Sequence, residues 1–131
     1  MNQQQSMFED ADLVFSYTRD QSIADGVLID VTKMAREAGV RFPVAVTSTL
    51  WDSYIVPIDA SGLHCQSIDG RLWDTLWLFR HAAVGFSGST LFFEVPYLMK
   101  GRKISRVKLK AICGPGDTPD PVITIMLPEE D

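Results

Sequence analysis

Two neighbouring stretches near the C-terminus set the frame for the rest of the chain. In "ISRVKLKAIC" (104–113), Val107, Leu109, Ala111 and Cys113 alternate with Arg106, Lys108, Lys110 and Ile112. A period of two describes a strand with one dry and one mostly wet face. "VITIML" (122–127) is almost continuously apolar, which predicts a strand covered on both sides. Between them lies "GPGDTPDP" (114–121), and upstream "TLFFEVPYLM" (90–99) is joined to the alternating strand by the basic turn "KGRK". Residues 89–127 are therefore expected to form a β-meander, the spine of a mainly antiparallel sheet.

"GPGDTPDP" poses its own question, because Gly-rich loops also cradle phosphates. Such a cradle leads from a strand into a helix N-terminus. Here three prolines lead into another strand, so a tight reversal is the favoured reading. The alternative is that Asp117 or Asp120 is displayed on the rigid loop as a contact residue.

Helical signals precede the meander. In "YTRDQSIADG" (17–26), Thr18 and Gln21 have capping-box spacing and Gly26 supplies a stop. After the short strand "VLI" (27–29), Asp30 is expected to cap a helix with Val31, Met34, Ala35 and Ala38 on one face. "FPVAV" (42–46) reads as a strand, at an edge or at a strand start because of Pro43. "TSTLWDSYIV" (47–56) reads as a helix capped by Thr47 or Ser48 and closed by Pro57; 58–68 is a connector, with a short strand near Leu63. The strongest helix signal is "DGRLWDTLWLFRHAAVG" (69–85), with Asp69 as cap and Leu72, Leu76, Phe79 and Ala83 inward. Trp73 and Trp77 are expected to widen that inward face.

At 131 residues, 46% hydrophobic and 22% charged, the chain has the balance of a globular protein able to bury a core. The expected architecture is α+β: short N-terminal helices and one long central helix on a mainly antiparallel sheet. Residues 1–11 are expected to be a flexible tail and 12–131 one domain. No apolar run is long enough to span a membrane, and a leader pattern is lacking, so a cytoplasmic protein without membrane attachment is expected. The net charge of −5 is uneven, with four Lys/Arg against nine Asp/Glu in 1–66 and eight against eight in 67–131. That charge is too sparse for a mimic of DNA and has the wrong sign for a general nucleic-acid binder.

Four stretches together, "YTRDQSIADGVLIDV", "EAGVRFPVAVTSTLW", "DGRLWDTLW" and "LKAICGPGDTPDPVITIMLPEED", resemble a family of small uncharacterised proteins of bacterial plasmids and integrative elements. The last stretch is the most specific, and the resemblance lapses over 58–68 and 86–104. It implies an accessory protein of a mobile element, and carries no activity or functional residues with it.

Chemistry is sparse. His64 and Cys65 are adjacent, so on an extended chain they point apart, and Cys113 lies on a dry strand face where a thiol behaves as a small hydrophobe. No Cys or His spacing suits zinc, the acidic residues follow no calcium-loop pattern, and no cofactor is expected. Tyr17, Arg19 and Asp20 place an aromatic, a cation and an anion at a helix start; this could recognise a phosphate or be a structural cap. Residues 100–110, "KGRKISRVKLK", carry six positive charges and no negative one. Arg102, Lys103, Arg106 and Lys108 could grip an acidic protein or a nucleic-acid backbone, or be a solvated strand that discourages edge aggregation. The leading expectation is a non-enzymatic protein that binds a protein partner, inhibiting a host defence or nuclease system. Small-enzyme chemistry at Cys65 or at Tyr17/Arg19/Asp20, nucleic-acid binding through the basic hairpin, and homo-oligomerisation are the rivals.

Overall fold

A computed structural model describes residues 18–56, 67–99 and 103–130. The expected tail at 1–11, the strand near Leu63, the turn at Gly101, and Tyr17, His64, Cys65 and Arg102 lie outside the described residues. In chain order the elements are α1 (Arg19–Ala24), β1 (Leu28–Asp30), α2 (Thr32–Glu37) and β2 (Val44–Thr47). Then come α3 (Ser48–Leu50), running on as a π-helical turn (Trp51–Ile55), α4 (Ile68–Ala83), β3 (Thr90–Met99), β4 (Lys103–Pro115) and β5 (Pro121–Met126).

The five strands form one sheet in the order β1-β2-β5-β4-β3, antiparallel except for the parallel pair β2 and β5. β3, β4 and β5 make the meander, and β5 sits at the centre of the sheet. Both flanks of β5 are therefore paired; Ile123 and Ile125 face the core, and on its other face Thr124 takes the Arg19 guanidinium. β3 is an edge, where Pro96 is tolerated because its missing N–H removes no bond that the sheet interior needs. Pro43 immediately precedes β2, and its carbonyl accepts the Ile123 N–H at 2.8 Å, helping to set the parallel register.

One sheet face carries the core. Val44 and Val46 of β2, Ile123 and Ile125 of β5, Leu109 and Ala111 of β4, and Phe93, Val95 and Tyr97 of β3 are buried there. Leu72, Leu76 and Phe79 of α4 join the same cluster, with Ala35 of α2 and Leu50 of α3. Local signals fix the helix starts. Thr18 and Gln21 form the capping box, and Thr47 caps α3 by accepting the Leu50 N–H. Two caps differ from expectation. Ser67, not Asp69, caps α4 by accepting the Gly70 N–H at 2.9 Å, leaving Asp69 in the first turn, where its charge favours the helix dipole. Asp30 stands one residue before the α2 cap position and binds the Thr32 N–H and hydroxyl instead.

The expected inward placement of Trp73 and Trp77 is corrected. Their exposures are 36% and 41%, whereas Arg71 and Thr75 on the opposite flank of α4 are 3% and 0% exposed. Arg71 spans the gap between two backbone ends, donating to the carbonyls of Tyr54 and Leu98, each at 2.7 Å. Those acceptors hold the Arg71 side of α4 against the sheet and turn the tryptophans outward.

Candidate functional site

The outer surface of α4 is the most distinctive exposed feature. Trp73 and Trp77, four residues apart, stack with ring centroids 5.9 Å apart, and His81 meets Trp77 edge-on at 4.6 Å. Residues four apart on a helix are surface neighbours, so the three rings make one continuous ladder. Arg80 lies in the same arc of roughly 60° as Trp73 and Trp77, so that row runs towards the C-terminal end of α4. There it meets an apolar pocket of about 370 Å³, lined in part by Phe42, Arg80, Val84 and Phe86. Phe42, Val84 and Phe86 are themselves exposed.

The inner flank of α4 is a polar cluster. Thr75 Oγ1 donates its one proton to the Arg71 carbonyl at 2.8 Å and so accepts from the Tyr97 hydroxyl at 2.6 Å. Tyr97 stacks on Tyr54 at 5.5 Å, and the Arg71 guanidinium lies 5.2 Å from the Tyr97 ring centre. Burial pushes the Tyr97 pKa up to about 12, against the opposing pull of the Thr75 hydrogen bond and the Arg71 charge. Burial lowers the Arg71 pKa, with the Tyr97 and Asp74 groups acting in the other direction. The sequence reading missed this cluster. Its available signal was the pair Arg71 and Thr75, four apart and flanking the Leu72–Leu76 row on the side away from the tryptophans.

Arg19 and Asp117 come together across 98 residues of sequence. The Asp117 carboxylate accepts the backbone N–H groups of Arg19 at 2.7 Å and Asp20 at 3.0 Å. It therefore satisfies orphan donors at the start of α1 and places a negative charge at its positive end. Arg19 itself donates to Thr124 Oγ1 and to the Ile123 carbonyl, both at 2.7 Å, stitching α1 to the central strand. Burial lowers its pKa, partly countered by Asp30, Asp117 and Asp20. The "GPGDTPDP" loop is thus a β4–β5 reversal whose aspartate supplies an anion to α1 from within the chain. A shallower pocket of about 310 Å³ lies beside it, lined by Arg19, Gly116, Asp117 and Thr124 among others.

The basic hairpin is divided between faces. Arg106, Lys108 and Lys110 share the sheet face opposite the core, with Lys103 in the other register parity. Lys108 pairs with Glu94 across the ladder and rests over the exposed Phe92 ring, 5.1 Å from its centre. Lys110 donates to the Glu130 backbone carbonyl. The Glu130 carboxylate accepts from the Thr47 hydroxyl at 2.7 Å and the Leu127 N–H at 2.9 Å.

Cys113 is a partly buried free thiol facing the 370 Å³ pocket. Among the described residues, no three His, Cys, Asp or Glu side chains converge as metal ligands, and each buried side-chain polar atom has a partner. No described helix is long and apolar enough to cross a membrane. The chain matches no curated protein and no solved structure. A family model does match, over residues 1–131, and the chain belongs to that family, a family of unknown function designated DUF6573.

Proposed function

We propose that this chain is a non-enzymatic binding module that engages a protein partner through the outer face of α4. The observation that carries this reading is the stacked Trp73–Trp77 pair standing in solvent. Large aromatics dominate the energetics of protein interfaces when they become buried there, and a rigid stacked pair has little side-chain entropy left to lose on binding. The polar groups do not favour a catalytic reading. Arg19 and Asp117 are occupied in holding α1, and the Thr75–Tyr97 pair is buried within the core.

The resemblance to proteins of plasmids and integrative elements supports the finer reading, an accessory protein of a bacterial mobile element. In that setting the partner would belong to a host defence or nuclease system, and the module would act as its inhibitor. The test is affinity capture from host lysate with three baits: the natural chain, Trp73→Ser/Trp77→Ser, and Arg106→Ser/Lys108→Ser. A stoichiometric partner held by the natural chain and by the strand variant, but lost from the tryptophan variant, is the expected outcome. A partner held equally by all three would refute the α4 surface. Loss only from the strand variant would move the site to the outer sheet face.

A further inference from the structure

The pocket at the end of α4 has a chemistry separate from the tryptophan ladder. It is built on the core side chains Phe79, Ala111 and Ile123, with the Cys113 thiol also in its lining. Its charged lining consists of Arg41 and Arg80, and among the described residues no carboxylate lines it. The Arg80 side chain passes close over Gly39. That residue has φ +100°, and a Cβ there would stand 2.9 Å from Arg80 Cδ and closer still to Nε. Glycine therefore serves two purposes, permitting the left-handed backbone and leaving room for the guanidinium stem.

We infer that this pocket binds a small molecule with an apolar body and a single carboxylate, of the class of medium-chain fatty acids. The volume of about 370 Å³ falls at the lower end of the range for small-molecule sites. The apolar lining takes the hydrocarbon, and Arg41 and Arg80 supply the cationic donors that suit a carboxylate. This goes beyond the protein-binding reading and does not depend on it.

The test uses the full chain and the fluorescent apolar anion 8-anilinonaphthalene-1-sulfonate, displaced by octanoate, decanoate and decanol. Decanoate should displace it better than octanoate, by about threefold to fourfold per added methylene. It should also outperform decanol by about tenfold, the loss typical of removing one charge-assisted hydrogen bond. Arg80→Gln combined with Arg41→Gln should abolish the preference for decanoate over decanol while leaving decanol unchanged. Location is read separately in a Cys65→Ser background, where saturating decanoate should slow iodoacetamide labelling of Cys113 at least fivefold, roughly. Should Cys65→Ser fail to fold, the same labelling is followed at Cys113 by peptide mass analysis of the natural chain. Equal displacement by decanol and decanoate, retention of the preference in the Arg41→Gln/Arg80→Gln variant, or unchanged Cys113 labelling would each overturn the inference.

Discussion

Tyr97 shows how one buried hydroxyl ties an element's orientation to solution conditions. Its ring is 2% exposed and its oxygen is shared with Thr75. In the unfolded chain the phenol would ionise near its ordinary value of 10, whereas burial holds it protonated in the fold up to about 12. The unfolded state thus loses its proton first, and the Tyr97 contribution to stability should be constant below pH 10 and decline as pH rises from 10 to 12. The expected loss is roughly 2–3 kcal/mol. Urea denaturation across that pH range checks this, and Tyr97→Phe should flatten the decline; a slope unchanged by Tyr97→Phe would assign it to other groups. Legibility at this scale followed sequence distance. The Thr18–Gln21 capping box could be read from a spacing of three, whereas the Asp117 cap on Arg19 and Asp20 carries no local signal.

α4 was legible as a helix and misread as to which flank it buries. Leu72, Leu76 and Phe79 point inward as their spacing implies, but hydrophobicity alone assigns the adjoining Trp73–Trp77 row to the core and Arg71–Thr75 to solvent. The order reverses because Arg71 finds backbone acceptors at Tyr54 and Leu98, and Thr75 finds Tyr97. A buried polar group with partners in place incurs little penalty, and those partners come from distant parts of the chain. The two rows should respond differently to truncation. Leu76→Ala should cost about 2–5 kcal/mol, since a fully buried leucine leaves a cavity. Trp73→Ser with Trp77→Ser should cost no more than about 1 kcal/mol, in keeping with surface positions. Equilibrium denaturation of both variants decides the point, and a larger loss for the tryptophan variant would place that row in the core.

At the scale of the molecule, the meander was legible because β3, β4 and β5 are sequential and joined by recognisable turns. The parallel joining of β2 to β5 was not, since it unites strands about 80 residues apart without any local mark. That joining makes β5 central, gives α2, α3 and α4 one continuous sheet face to cover while α1 sits against the other face through Arg19, and leaves α4 with an outer surface of its own. The opposite face carries Arg106, Lys108 and Lys110, with Phe92 beneath Lys108. The net charge of −5 is thus compatible with a locally cationic sheet surface, while the aromatic surface belongs to the helix layer. Tryptophan fluorescence of a Trp51→Phe variant, followed by iodide quenching at submicromolar protein, tests whether that helix surface is open in the isolated chain. Red-shifted emission that iodide quenches efficiently is the expected result; blue-shifted emission protected from iodide would contradict an outward-facing Trp73–Trp77 pair.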